Sequence, residues 1–85
     1  MPTISIFFGI AIQMFWFDHA PPHFHATYAE HEAQIAIDGR LLRGSLPPRI
    51  MAMVLEWASE NRSALLEAWE ACSNGRTPTR IRPLA

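Results

Sequence analysis

Three histidines and a carboxylate fall within eight positions of this 85-residue chain, in Asp18-His19-Ala20-Pro21-Pro22-His23-Phe24-His25. Histidines at i and i+2 of a strand project side by side, as metal ligation requires. Neutral imidazole is also the side chain best suited to exchange protons near pH 7. Two chemistries follow. In the first, His23 and His25 act as base and acid on a phosphodiester, as in a metal-independent ribonuclease, and Arg43 or a tail arginine steadies the phosphate. In the second, Asp18, His19, His23 and His25 hold a divalent metal that activates water for hydrolysis. The bland alternative is structural: strand histidines that hydrogen-bond to a loop and order the Pro21-Pro22 turn. Apart from such a metal no cofactor is expected. These residue types admit catalysis without requiring it.

Elsewhere the chemistry-bearing residues have simpler readings. Ser45 precedes Leu46-Pro47-Pro48 and reads as a helix cap, not a nucleophile. Cys72, Trp57 and Trp69 fall on the apolar side of a helical pattern and read as core. One cysteine excludes an internal disulfide framework and suits a reducing compartment. Seven arginines, no lysine and eight acidic residues leave a net charge of −1, so no overall basic field draws the chain to nucleic acid. Arg76, Arg80 and Arg82 make the tail locally basic, which leaves RNA or an acidic protein as its partner.

The elements that must position the histidines come from pattern. Hydrophobic residues at 49% and charged residues at 18% exclude a disordered chain. Residues 10–17 alternate, with Ile10, Ile12, Met14 and Trp16 on one side and Gln13, Phe15 and Phe17 on the other. Residues 3–8 are strand-like, either a separate strand or a lead-in to the next. Two further strands cover 23–28 and 33–37, and Asp38-Gly39 turns the chain into a return strand at 40–43. From Arg49 to Ser73 there is neither Gly nor Pro, and apolar residues recur near a 3.6 period. An unbroken helix over 47–73 would be about 40 Å long at 1.5 Å per residue, longer than the roughly 30 Å diameter of a domain this size. The polar run Ser59-Glu60-Asn61-Arg62-Ser63 marks the break. The expected fold is α+β: an antiparallel sheet of four or five strands, with one kinked or two abutting helices on one face. Residues 1–75 form the domain and 76–85 an extended tail.

One helical layer covers one face of a sheet. With Phe24 and Ala26 turned inward, His23 and His25 join Phe15 and Phe17 on a face that nothing in the chain covers, so Phe15, Phe17, His23 and His25 are the expected interface. A homo-oligomer or a complex with another protein follows. No membrane contact is expected, because the uncharged stretch 4–17 includes Ser5, Gly9 and Gln13 and is shorter than a span of about 20 residues. Without the marks of a secretory leader, the expected location is cytoplasmic.

Met1-Pro2-Thr3-Ile4-Ser5, Phe8-Gly9-Ile10, the Asp18-to-Ala26 block, Gly44-Ser45-Leu46-Pro47-Pro48-Arg49 and Val54-Leu55-Glu56-Trp57 together resemble a small bacterial domain family of unknown function. Its mark is the D-H-x-P-P-H-F-H-A block, here Asp18, His19, Pro21, Pro22, His23, Phe24 and His25 with Ala26. The resemblance runs from the N-terminus to about Gly75. It implies a setting: such domains are commonly encoded beside a second small protein, in pairs resembling type II toxin–antitoxin modules, and are the presumed toxin. The expected partner is then the small protein of the neighbouring gene. The resemblance implies no reaction and assigns no catalytic residue.

Overall fold

The computed structural model describes residues 2–85. Five strands, β1 (Thr3–Phe7), β2 (Ile10–Gln13), β3 (His23–Tyr28), β4 (His31–Ala36) and β5 (Leu41–Ser45), precede α1 (Pro48–Glu60) and α2 (Arg62–Ser73). The sheet is an antiparallel meander in the order β1-β2-β3-β4-β5. Residues 3–7 are thus a strand of their own. They reach β2 through Phe8-Gly9, both at positive φ (49° and 78°), as a two-residue hairpin between twisted strands requires. Ala29 at φ 51° starts the equally short β3–β4 turn, which brings Tyr28 opposite His31.

Alternation sorts the sheet residues as expected near its centre. Ile10, Ile12, Phe24, Ala26, Ala33 and Ile35 are buried and meet Ile50, Val54 and Trp57 of α1 and Leu65, Ala68 and Cys72 of α2 in one core. Phe7 and Phe24 pack on the Trp57 ring, with centroids 5.3 and 5.9 Å away. The helical region breaks at Asn61, inside the polar run that predicts it. The Asn61 side chain donates to the Trp57 carbonyl at 2.8 Å, and its own carbonyl accepts the Leu65 N–H at 2.9 Å. Two short helices fit the molecule's 33 × 25 × 21 Å extents, where one rod would not. Helix α1 starts with Pro48 and has no side-chain cap. Ser45 instead ends β5, because Leu46 and Pro47 stand between it and the helix.

Two expectations give way to long-range contacts. Strand β2 ends at Gln13, yet Met14 still points inward and its N–H still bonds the Pro2 carbonyl, and Phe15 keeps the outer face, so alternation fails first at Trp16. From there the chain crosses to the end of α2, where the Phe17 N–H donates to the Cys72 carbonyl and Trp16 Nε1 to the Arg76 carbonyl. Trp16 is therefore 42% exposed and not an inner residue. The tail is extended, but it docks on the domain. Pro78 and Ile81 are buried, the Ile81 N–H donates to the Ile4 carbonyl at 2.7 Å, and the Arg82 carbonyl accepts Trp57 Nε1 at 2.9 Å. The Ile81 bond satisfies a carbonyl on the otherwise unpaired β1 edge. Among the described residues no helix is long and apolar enough to cross a membrane.

Cys72 lies 1% exposed in this core, and burial pushes its thiol above the ordinary value. It should stay unreactive to a thiol reagent in the native chain at about pH 8 and take up one equivalent after unfolding in urea. Rapid native labelling would mean that the end of α2 opens readily.

Candidate functional site

His23 and His25 occupy alternate positions of β3, on the face away from Phe24 and Ala26. The connection between β2 and β3 loops back so that Asp18 lies over both. His23 Nε2 is 3.0 Å from Asp18 Oδ2, and His25 Nε2 is 3.6 Å from the same oxygen. The outward-facing nitrogens are also directed. His23 Nδ1 lies 2.7 Å from the Pro21 carbonyl, and His25 Nδ1 faces Glu32 Oε2 at 3.6 Å. Asp18, His23 and His25 each offer one donor atom, and the three atoms lie within 4.8 Å of one another.

The rings are walled by aromatics. Phe15 stacks on His25 with centroids 4.3 Å apart, and Trp69 of α2 lies tilted against His23 at 5.3 Å. His23 and His25 are 5% and 7% exposed. The expectation that both imidazoles face solvent on a bare sheet is thus overturned. Phe15 stays on the face that alternation assigns it and lies flat over His25, and Trp69 of α2 closes on His23, so the imidazoles are covered. The rest of that face is mostly polar: cross-strand pairing runs Thr3, Gln13, His25, Gln34, Arg43.

Burial pushes the Asp18 carboxyl up, but its bond from the His19 N–H and the neighbouring His23, His25 and His19 rings outweigh that. The group is held below the usual value and stays an anion at neutral pH. His23 supplies a second constraint. A neutral imidazole has one N–H, and the Pro21 carbonyl takes it at Nδ1. Nε2 then presents a lone pair to a carboxylate oxygen 3.0 Å away, so a proton or another cation must lie between them. His25 carries this further. Neither of its buried ring nitrogens has a hydrogen-bond partner, since its carboxylate neighbours stand too far off at 3.6 Å.

The structure brings Asp18, His23, His25 and Phe15 together and sets the other sequence candidates apart. The His19 side chain is 95% exposed and touches only the far carboxylate oxygen, with Nδ1 3.4 Å from Oδ1. Phe17, 74% exposed, lies against Gly75 at the end of α2. Arg43 is exposed two strands from His25, roughly 10 Å by strand spacing. Arg76, Arg80 and Arg82 line a groove of about 750 Å³ beside α2 that shares no residue with the cluster. Neither arginine group is placed to steady a phosphate on these imidazoles. Trp69 packs against the core as its helical spacing predicts and also reaches His23, while Glu32 is a neighbour that the sequence candidates do not include. The two-residue turn after Tyr28 was the available signal for Glu32, because it puts Glu32 opposite Thr27 and diagonal to His25.

No curated protein and no solved structure matches the chain significantly. A family model does match residues 9–70, a stretch that contains the whole Asp18-to-Ala26 block and both helices up to Glu70. With most of its length matched, the chain belongs to that family, described as a domain of unknown function (DUF4160).

Proposed function

We propose that the chain is the toxin-like half of a bacterial, cytoplasmic two-protein module, and that it works by binding a small partner protein. The observation that supports this best is Phe15-Trp16-Phe17. These three consecutive aromatics are 37%, 42% and 74% exposed. They are also held in place, because backbone and indole bonds to Cys72 and Arg76 fix the segment before any partner arrives. Preordered aromatics contribute contact area at low entropic cost and are the usual anchors of protein interfaces. The gene-pair setting implied by the family resemblance points to the neighbouring gene's product as partner. RNA fits less well, since Arg76, Arg80 and Arg82 share their groove with Glu67 and Glu70. A His-dependent ribonuclease or metal-assisted hydrolase also fits less well. Imidazoles 5% and 7% exposed behind Phe15 and Trp69 are shielded from a polynucleotide.

Co-expression with the neighbouring gene product should yield a stable complex. Phe17→Ser should weaken it about 30-fold, the loss of one interface anchor of roughly 2 kcal/mol. Without the partner, the isolated chain should self-associate at micromolar concentration. Normal growth of cells expressing the chain alone, a clean monomer by light scattering and no complex would together overturn this reading.

A further inference from the structure

The Asp18–His23–His25 cluster has the arrangement of a metal site, and we propose that it binds one divalent transition-metal ion, with zinc the preferred occupant. The inference does not rest on the partner-binding reading. Zinc bonds its ligands at about 2.0–2.1 Å, so neighbouring donors of a tetrahedral site stand about 3.3 Å apart. The two observed separations from Asp18 Oδ2, 3.0 Å to His23 Nε2 and 3.6 Å to His25 Nε2, bracket that value. All three donor atoms lie within 4.8 Å of one another, so the two imidazole nitrogens draw in toward the ion as it enters.

The outward nitrogens complete the pattern. Metal-bound histidine donates its second N–H to a carbonyl or carboxylate, which fixes the tautomer and directs the other lone pair at the metal. His23 does this through Pro21, and Glu32 stands 3.6 Å from His25 Nδ1 on an exposed side chain able to close the gap. A cation between Nε2 and Oδ2 also removes the lone-pair opposition at His23 and gives the orphaned His25 Nε2 its partner. Phe15 and Trp69 supply an apolar wall against the two imidazoles and leave the side toward Asp18 to solvent.

Two imidazole nitrogens and one carboxylate oxygen suit zinc and its first-row neighbours better than magnesium or calcium, which take oxygen donors. Solvent fills the fourth position, because His19 stands against Oδ1 and points outward. The bound ion ties the segment carrying Asp18 to β3, and so holds Phe15-Trp16-Phe17 where they are presented.

The test is calorimetric titration of the chelator-stripped full chain with zinc, and with cobalt to read the visible spectrum. One equivalent should bind, the cobalt form should show the intense bands of a four-coordinate site, and a hundredfold excess over Kd should raise Tm by at least about 11 °C. Glu32→Gln should weaken zinc binding roughly 10–100-fold, as loss of an outer partner does, and Asp18→Asn more than that. His31→Ala, at a half-buried histidine outside the cluster, should leave zinc affinity unchanged. No stoichiometric uptake by the wild-type chain would overturn the proposal. So would uptake that Asp18→Asn leaves intact, a variant whose circular dichroism should match wild type. Zinc uptake without any protein complex would instead count only against the partner-binding reading.

Discussion

Replacing Trp57 by alanine is expected to remove about 3–5 kcal/mol of stability, as for other fully buried tryptophans. A chain of 85 residues has only about 4–13 kcal/mol in all, so the substitution removes roughly a quarter of the total at the least. The effect is this large because one side chain joins three parts of the fold. Its ring is 0% exposed and packs on Phe7 of β1 and Phe24 of β3, and its Nε1 holds the tail at the Arg82 carbonyl. Trp57→Phe separates the contributions: it keeps a ring in the core and gives up the indole N–H, a net loss of about 1 kcal/mol beyond the change in volume. Urea unfolding followed by circular dichroism measures both. A Trp57→Ala change smaller than about 1 kcal/mol would contradict the packing described.

Gly44→Ala should cost about 3 kcal/mol or more, since strain and collision act together there. Gly44 has φ +76°, and a Cβ built on it would lie 2.2 Å from the Glu32 carbonyl oxygen and 3.2 Å from the Ala33 Cα. Both obstacles are backbone, so the clash is relieved only by moving β5 away from β4. Gly39→Ala is the control, because its φ of +101° is also unfavourable but the space around it is open. It should show the conformational cost alone, about 1–2 kcal/mol. On a domain of this size the Gly44 variant should lose at least about 12 °C in Tm, at 4–8 °C per kcal/mol. Glu32 stands beside His25 and pairs with Ser45, so a β5 shift should also disturb the imidazole cluster. Faster hydrogen exchange confined to β4 and β5 would locate the damage. An unchanged Tm would mean that β5 does not sit as closely on β4 as described.

What could be read in advance was what depends on near neighbours along the chain. Asp38-Gly39 marks a turn by its own φ preferences, and the polar run 59–63 marks the helix break by interrupting an apolar stripe. Phe24 and Ala26 go inward because strand side chains alternate. The Asp18-to-His25 block keeps its ligating types within a few residues, so the cluster was legible as a group. The family was legible from the same block. The reading failed where alternation was carried past the end of β2. Alternation puts Trp16 inside and leaves the face bearing His23 and His25 bare, because nothing local marks the turn away from the sheet after Met14, whose N–H still bonds the Pro2 carbonyl.

The remainder rests on contacts between distant segments. Trp16 and Phe17 turn away from the sheet because the end of α2 offers carbonyls at Cys72 and Arg76, the latter sixty positions from Trp16. Phe15 over His25 and Trp69 against His23 turn an expected open surface into a covered one. The tail docks because β1 has an unpaired carbonyl at Ile4 and Trp57 has an N–H to satisfy. Glu32 reaches His25 through cross-strand register, which the turn after Tyr28 sets. By itself, the sequence determined the α+β class, the helix break and the identity of the imidazole–carboxylate group. Whether that group is open or sealed depended on which distant hydrogen-bonding groups the packed core left unsatisfied.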